Sequence, residues 1–463
     1  MLTEIQPANR SSFDAHHPPS KELLSDCVHC GFCLPACPTY VLWGEEMDSP
    51  RGRIYMMAKA AKGEAPLDQN FLTHMDLCLG CMGCMTACPS GVQYDKLIED
   101  SRAQVERNIS RTTADSLFRK LLFAIFPYPA RLRLLALPLL IYQRSGMQSL
   151  FRASGLPRIL PNRLAAMEAL LPPVPTRFTW TMPREIRASV SEKRGRVGLL
   201  TGCVQQVFFS HVNAATARLL RAEGFEVITP ASQPCCGALM VHSGLDDQAA
   251  AMARNLIALF EAANVDTIVI NAAGCGSTMK EYGHLLRDDP EWAGRAQAFS
   301  EKCKDISEIL SSVMSITPRH PLPMRIAYHD ACHLRHAQGV YQQPRKLLSG
   351  IPQLEVAEIA ESSLCCGSAG VYNLLQPEPA QQLADRKVDH LLETHSQAVV
   401  SANPGCLLQL MSGLRRRGEA TLPTFHMVEL IDASIRGLSA DQVLSAEKSL
   451  SVADHLGVHH RIR

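Results

Sequence analysis

The 463-residue sequence has no long hydrophobic run and no marked excess of charge of one sign. No stretch of 18 uncharged apolar residues occurs, so we expect no transmembrane helix. Residues 1–26 are polar and lack the apolar segment of a secretory signal, which favours a cytoplasmic location. The formal net charge of +1 gives no indication of a nucleic acid or another polyanion as partner.

The usual sequence patterns of nucleotide and flavin sites are also missing. We find no Gly-x-Gly-x-x-Gly after a predicted strand, no Walker loop and no nucleophile elbow. Gly274-Cys275-Gly276 is too short to replace them. We therefore expect no flavin on this chain, and we expect any oxidation of an organic substrate to take place on a partner.

Cysteine, in contrast, is abundant: the chain has 17, and most of them are clustered. A cytoplasmic protein keeps its thiols reduced, so clustered cysteines there are better explained as metal ligands or redox groups than as disulfides. The chain is also 46% hydrophobic, which is enough for globular cores. Its length suggests about two to four domains.

Eight cysteines near the N-terminus form two copies of one pattern, Cys-x-x-Cys-x-x-Cys-x-x-x-Cys-Pro. Three cysteines at two-residue gaps wrap one [4Fe–4S] cubane, whereas the fourth, followed by Pro, leaves the turn and binds the other cluster. The pattern therefore predicts two [4Fe–4S] clusters. One is assigned to Cys27, Cys30, Cys33 and Cys88, and the other to Cys78, Cys81, Cys84 and Cys37.

Zinc is the main alternative for these cysteines, because Cys-x-x-Cys pairs also bind zinc. Zinc sites seldom need three successive two-residue gaps and a fourth cysteine before Pro, so the pattern favours iron–sulfur clusters. The two runs are separated by a segment at 54–62 with a helical pattern. We therefore predict a helical ferredoxin domain at 21–108 rather than the compact type built of strands and loops.

Residues 195–440 contain an internal repeat. Each copy has a short apolar run ending in Cys, then a Cys-Cys-Gly triplet, then a second apolar run leading to a further Cys. The spacings between these landmarks differ by only one residue between the copies. The landmark cysteines are Cys203, Cys235, Cys236 and Cys275 in the first copy, and Cys332, Cys365, Cys366 and Cys406 in the second.

Cysteines at strand ends, with helical patterns between the strands, are typical of α/β domains that carry their sites at the carboxyl edge of a sheet. The sequence thus predicts an α+β multidomain protein, in which an N-terminal helical ferredoxin domain precedes two repeated α/β Cys-Cys-Gly domains. The predicted divisions are a polar arm (1–20), the ferredoxin domain (21–108), a Pro-rich basic and apolar connector (109–190), the two Cys-Cys-Gly domains (195–320 and 321–440) and a tail (441–463).

Two ferredoxin runs followed by two Cys-Cys-Gly domains resemble the iron–sulfur subunit of glycolate oxidase. The resemblance covers about residues 20–440 and is most specific at 329–333, 364–370, 402–406 and 426–432. It implies an electron-transfer subunit in a complex where a flavin-containing subunit oxidises glycolate and electrons leave toward a quinone-linked membrane acceptor. The related iron–sulfur subunits that serve glycerol-3-phosphate or lactate oxidation leave the identity of the donor open.

The role of the repeat cysteines is open at this stage. In the related heterodisulfide reductase subunits the third landmark is Cys-x-x-Cys, whereas here it is a single Cys in both copies. Four thiolates per copy can still hold a further iron–sulfur cluster, line a redox site, or pack as small apolar side chains. His329, His333 and His336 flank Cys332 and can either handle protons or serve the structure alone. A thiol redox enzyme is the corresponding alternative function.

The segment from Ser116 to Arg144 has no acidic residue and five cations among many Leu, Phe, Ile and Pro residues. Such a segment can lie in a membrane interface, dock on a partner subunit, or cover the core with its arginines turned outward. The first possibility predicts peripheral attachment to the inner face of the cytoplasmic membrane.

Overall fold

The computed structural model describes residues 11–174 and 182–448. They form a helical N-terminal domain, a helical connector and two α/β domains, so the predicted fold class is confirmed. The ends of the predicted polar arm (1–10) and tail (449–463), and residues 175–181 of the predicted connector, lie outside the described residues.

The N-terminal domain packs short helices around an apolar core that includes Met57, Phe71 and Leu97. The longest helix between the two cysteine runs is α3, which begins where the Ser49 hydroxyl accepts a hydrogen bond from the Gly52 N–H. The helices are α1 (Lys21–Ser25), α2 (Pro38–Trp43), α3 (Pro50–Ala61), α4 (Gln69–Leu77), α5 (Gly83–Thr86) and α6 (Tyr94–Asn108), with a 3₁₀ turn at Glu46–Asp48.

The connector is helical as well. It contains α7 (Thr113–Ile125), α8 (Pro129–Arg144), α9 (Met147–Ala153) and α10 (Asn162–Ala169), with a 3₁₀ turn at Leu156–Ile159. Pro129 occupies the first turn of α8, where a backbone N–H would have no hydrogen-bond partner within the helix. Within the described ranges, no single helix is long and apolar enough to cross a membrane. Only α7 and α8 together meet that criterion, and the two are bent by 99°.

Two parallel sheets carry the repeat. The first sheet has the order β1-β3-β2-β4-β5, in which β1 is an antiparallel edge strand contributed by the predicted connector, and the second has the order β7-β6-β8-β9. The strands are β1 (Glu185–Ile186), β2 (Gly195–Leu199), β3 (Phe225–Ile228), β4 (Thr267–Ile270), β5 (Cys303–Asp305), β6 (Met324–His329), β7 (Leu354–Glu358), β8 (Ala398–Ser401) and β9 (Thr424–His426).

Helices connect the strands in both copies. In the first copy they are α11 (Val204–Phe208), α12 (Ser210–Ala222), α13 (Ala238–Val241), α14 (Asp246–Ala262), α15 (Ala273–Lys280), α16 (Tyr282–Leu285), α17 (Ala293–Lys302) and α18 (Ile306–Ser312). In the second they are a π-helical turn (His333–Ala337), α19 (Gln342–Ser349), α20 (Tyr372–Leu375), α21 (Pro377–Leu392), α22 (Pro404–Arg416), α23 (Met427–Ile435) and α24 (Ala440–Lys448).

The two copies share the same parallel strand order, β3-β2-β4-β5 in one and β7-β6-β8-β9 in the other, as an internal repeat requires. They pack on each other through α12 and α23, and one continuous apolar core contains residues of both sheets. At this interface Arg218 donates two hydrogen bonds to the Asp432 carboxylate, at 2.9 and 2.7 Å. The two α/β domains therefore form one packed body.

Candidate iron–sulfur and thiol sites

The first predicted ligand set lines a single cavity. Cys27, Cys30, Cys33 and Cys88 all border one pocket, together with Arg51 and with Cys84 of the other set. Gly31, inside the first run, has a φ of +88°, a backbone conformation that glycine adopts without strain. Cys88 thus lies beside the first three cysteines although it belongs to the other run, as the exchange of fourth ligands predicts. The four thiols fit one [4Fe–4S] cluster.

The second predicted set, in contrast, is buried. Cys37, Cys78, Cys81 and Cys84 are each at most 8% exposed, and their charges act on one another. Burial and the neighbouring Cys81 and Cys78 raise the pKa of Cys84 well above its ordinary value. Four such thiols become thiolates together only when a cation compensates their charge, which the iron of a cluster supplies.

Two buried arginines supply positive charge at the second set. Burial raises the pKa of Cys78, but Arg53 and Arg102 outweigh it and hold that pKa below its usual value. The Gly80 N–H donates a hydrogen bond to Cys78 Sγ at 3.4 Å, and the Tyr94 hydroxyl lies 3.6 Å from the same sulfur. Hydrogen bonds to ligand sulfurs tune the reduction potential of a cluster. Sequence patterns do not single out these arginines, although the position of Arg53 among the apolar residues of α3 is a usable signal.

The two sets differ in their distance from solvent. Cys30 is exposed, and the neighbouring Val28 and Phe32 side chains are each 68% exposed. The second set lies in the interior, against the second Cys-Cys-Gly domain. One apolar cluster contains both Cys81 and Cys332, and Thr86 Oγ1 lies 2.7 Å from His336 Nδ1 across this contact. The cysteine sets therefore form a series from the surface to the interior.

In the second Cys-Cys-Gly domain the four landmark cysteines come together at the carboxyl edge of the sheet. Cys332 follows β6, and its sulfur lies 3.7 Å from the sulfur of Cys365. Cys366 and Cys406 form a buried group with His329, and the ligand atoms of these three residues lie within 4.8 Å of one another. Cys406 is placed in the first turn of α22, where the Asn403 amide donates a hydrogen bond to its sulfur at 3.3 Å.

The electrostatics of this group favour thiolates at two positions. Hydrogen bonds from Cys365 and Cys406 lower the pKa of Cys366, and His329 acts in the same direction. A hydrogen bond from Cys365 likewise lowers the pKa of Cys332, which burial alone raises. Thiolates and imidazole nitrogens are ligands for iron–sulfur clusters or for zinc. The second domain therefore has a donor set that suits a metal.

The first Cys-Cys-Gly domain brings its landmark cysteines together without histidine. Cys203 contacts Cys235, and Cys236 contacts Cys275, so these thiols form a second group. Leu200 and Val204 occupy the positions that His329 and His333 occupy in the other copy. Cys303 lies apart in β5 and is 1% exposed, with its thiol donating to the Phe299 carbonyl oxygen, as expected of a structural cysteine.

Known protein families match this chain in segments that correspond to its ferredoxin domain, its connector and its two Cys-Cys-Gly domains. Family models match at residues 23–92 ("4Fe-4S dicluster domain"), 114–171 ("Glycolate oxidase iron-sulfur subunit, linker region"), and 197–280 and 326–411 ("Cysteine-rich domain"). A probable glycolate oxidase iron-sulfur subunit of Bacillus subtilis is 39% identical over 88% of this chain and 93% of its own length. The chain belongs to the glycolate oxidase iron–sulfur subunit family.

Other members and relatives support this assignment. The glycolate oxidase iron-sulfur subunit of Escherichia coli is 34% identical over 94% of this chain and 98% of its own length. Lactate utilization protein A of Exiguobacterium is 30% identical over 52% of this chain and 98% of its own length. The resemblance seen in the sequence is thus confirmed. The chain is an iron–sulfur protein that transfers electrons as a subunit of an oxidoreductase complex.

Proposed function

We propose that this chain carries electrons in a complex that oxidises glycolate, from a flavin on another subunit to a quinone-linked acceptor. The observation that carries the proposal is the series of cysteine sets, from the first set, in which Cys30 is exposed, through the buried second set to Cys332. Relatives named for glycolate oxidase align over 88% and 94% of the chain, whereas lactate utilization protein A of Exiguobacterium aligns over 52%. These alignments support glycolate, rather than lactate, as the substrate of the complex.

When bound, two [4Fe–4S] clusters supply one-electron carriers at the two ferredoxin sets. The chain's own residues determine the direction of transfer. Cys30 lies at the surface, and Val28 and Phe32 beside it offer apolar area for a donor subunit. The second set is shielded from water and faces two cations, Arg53 and Arg102, which favour the reduced, more negative state. Electrons then reach the second Cys-Cys-Gly domain, where Cys332 adjoins Cys81.

The number of clusters is tested by anaerobic purification of the full chain, iron and sulfide counting, and EPR spectroscopy. Two clusters correspond to about eight irons per chain, and a further cluster in a Cys-Cys-Gly domain to about twelve. We expect Cys84→Ser to lose about four irons. Cys303→Ser should keep them all, because Cys303 lies outside every ligand set. Zinc without iron in the purified protein would overturn the proposal.

Substrate and acceptor are tested on the complex isolated with its other subunits. We expect glycolate to reduce the iron–sulfur EPR signals and a soluble quinone to reoxidise them. Cys366→Ser should lower the iron count only if the second Cys-Cys-Gly domain holds metal. A complex that oxidises lactate or glycerol-3-phosphate but not glycolate would contradict the substrate, while leaving the role in electron transfer intact.

We also propose that the connector attaches the protein to the cytoplasmic face of an anionic membrane. Residues 116–167 contain eight Lys or Arg residues and no Asp or Glu. Leu134 and Ile141, seven residues apart on one face of α8, are 70% and 63% exposed, and Leu150 and Ile159 are exposed further along. A cationic surface with protruding apolar side chains matches a helix that lies in the headgroup region of anionic lipids.

Co-sedimentation with vesicles tests this attachment. We expect binding to vesicles containing anionic lipid, weaker binding to purely zwitterionic vesicles, and loss of binding in the double variant Leu134→Glu and Ile141→Glu. Met314→Glu serves as the control, because Met314 is apolar and 86% exposed but lies outside the connector. Unchanged vesicle binding in the double variant would contradict membrane attachment through α8.

A further inference from the structure

A partly open cavity lies where the ferredoxin domain meets both Cys-Cys-Gly domains. The ferredoxin domain contributes Met82, from the loop between Cys81 and Cys84, and Glu99, from α6. The first Cys-Cys-Gly domain contributes His242 and Thr278, and the second contributes His333. A space walled by three domains is a common location for the binding site of a small molecule.

Several polar atoms on the wall of this cavity have no hydrogen-bond partner within the described part of the chain. They are both ring nitrogens of His242, Nε2 of His333, Oγ1 of Thr278 and Oδ1 of Asp95. His333 and Thr278 are only 7% and 6% exposed. Buried polar groups in folded proteins are nearly always hydrogen-bonded, and each unsatisfied group costs about 1–3 kcal/mol. All four residues line this one cavity, where a polar ligand or ordered water would satisfy these atoms.

The two histidines are arranged as a pair. Their rings lie 4.8 Å apart between centroids, and the nearest Glu99 oxygen is 3.8 Å from His242 Nδ1, longer than a hydrogen bond. Met82, Val241 and Leu285 provide apolar surface on the same wall. The cavity thus combines hydrogen-bond donors with apolar contacts, which suits a flat ring that carries oxygen atoms.

The cavity also adjoins the interior end of the cysteine series. His333 Nδ1 lies 3.7 Å from the sulfur of Cys332, and Met82 connects two ligands of the second ferredoxin set. A ligand in the cavity would therefore contact residues that neighbour both thiol sets. This position is the one required of a terminal electron acceptor.

We propose that this cavity binds the headgroup of a quinone, with His242, His333 and Thr278 donating hydrogen bonds to its carbonyl oxygens. The inference rests on the proposed function, which it deepens by placing the acceptor site on this chain. In the reaction the quinone gains two electrons and two protons, so that both C=O groups become C–OH groups. The electrons come from the reduced clusters. The protons come from solvent, past the carboxyl groups of Asp95, Asp100 and Glu281 on the cavity wall.

The test uses the anaerobically purified complex, glycolate as donor, and a short-chain water-soluble quinone as acceptor. His242→Phe keeps the ring but removes its hydrogen bonds, and Thr278→Val keeps the shape but removes the hydroxyl. Loss of one such bond, worth about 1.4 kcal/mol, corresponds to a tenfold weaker affinity. We expect each variant to raise the KM for quinone by about tenfold. The iron content, the EPR signals and the rate of ferricyanide reduction should stay unchanged.

His390→Phe is the matched control, because His390 is a partly exposed histidine away from the cavity and should leave the quinone KM unchanged. If the wild-type complex reduces quinone and both cavity variants show wild-type KM values, the cavity holds only water and this inference is wrong. If the wild-type complex reduces ferricyanide but no quinone, the proposed acceptor itself is wrong, and the site is overturned with it. The two failures are thus distinguishable.

Discussion

At the scale of single residues, the interior of the ferredoxin domain depends on the side chain of Arg53. It is 1% exposed and donates to the backbone carbonyl oxygens of Asp48 and His74, at 2.5 and 2.7 Å. It also contacts the Thr39 hydroxyl, which lies 3.2 Å from the sulfur of Cys37. One side chain therefore joins α3 to the ends of α2 and α4 and adjusts the charge at the second ligand set.

We expect Arg53→Met to lower the free energy of unfolding by about 3–5 kcal/mol, because it leaves buried acceptors without a partner. Lys59→Ala removes only an exposed ion pair with Glu64 and should change this free energy by less than about 1 kcal/mol. Denaturant unfolding of the iron-loaded protein, followed by circular dichroism, measures both. Equal stability of the two variants would show that Arg53 is dispensable.

The buried carboxyl group of Glu429 is expected to make the stability of the folded protein depend on pH. Burial raises the pKa of Glu429 to about 7, Asp432 adds to the rise, and the His426 N–H and Arg218 oppose it. Burial also lowers the pKa of the neighbouring His211 to about 4. The pKa of Glu429 is higher in the folded than in the unfolded protein, so the protonated carboxyl group favours the folded state. Its contribution to stability is fully present below pH 4.5 and is lost as the pH rises through 7.

We therefore expect Glu429→Gln, which cannot ionise, to lose less stability than the wild type between pH 5 and pH 8. The difference should be up to about 3 kcal/mol by linkage. Denaturation midpoints across this pH range measure it, and the exposed Glu64→Gln provides the control. Parallel pH profiles of Glu429→Gln and the wild type would refute the expectation.

At the scale of elements, the Cys-Cys-Gly triplet requires glycine at its third position, because another backbone segment approaches closely there. Gly367 has a φ of +87°, and a Cβ atom there would lie 2.5 Å from the Ala380 carbonyl oxygen in α21. Gly237 in the first copy has a φ of +79°, and a Cβ atom there would lie 3.3 Å from the Ala249 backbone in α14, a looser approach. The glycine lets a helix pack directly on the loop that presents the paired cysteines.

We expect Gly367→Ala to destabilise the second Cys-Cys-Gly domain by more than about 2 kcal/mol, through both backbone strain and a backbone clash. Gly418 has a φ of +83° but nothing within 4 Å, so Gly418→Ala carries the strain alone, at about 1–2 kcal/mol. Thermal unfolding compares the two. A smaller effect at Gly367 than at Gly418 would contradict this explanation.

Sequence patterns predicted most of the elements that carry the cysteines, because those elements are locally encoded. The apolar runs before Cys203 and Cys332 are β2 and β6, and the helical segment at 54–62 lies mostly in α3. Sequence comparison of the copies missed one further correspondence. Asp305 with Glu308, and His426 with Glu429, form capping boxes at the starts of α18 and α23, but the residue types at the cap differ, which hid the match.

At the scale of the whole molecule, the sequence could not predict which copy places its landmark cysteines against those of the ferredoxin domain. The contact between Cys81 and Cys332 joins residues about 250 positions apart, and no local pattern specifies it. The same holds for the cavity at the three-domain junction, because His242 and His333 come from different copies. The histidines around Cys332 were visible in the sequence, but their closeness to His242 was not.

This asymmetry predicts unequal roles for the two copies. We expect Cys332→Ser to slow quinone reduction by the complex about tenfold or more, equivalent to a barrier about 1.4 kcal/mol higher. Cys203→Ser, in the copy without the histidines, should change the rate by less than about twofold, or about 0.4 kcal/mol. Steady-state rates with glycolate and quinone test this, with iron counts as the check on folding. Equal losses in both variants would contradict a route through the second copy.

The exposure of Cys30 has a consequence for the life of the subunit before assembly. Oxidation of cysteine follows thiolate character and exposure, and Cys30, with Val28 and Phe32 beside it, is open to the solvent. The second centre, enclosed by protein, is protected by the fold itself. In a newly made chain the first cysteine set is therefore more open to oxidation than the second, until another subunit covers Cys30.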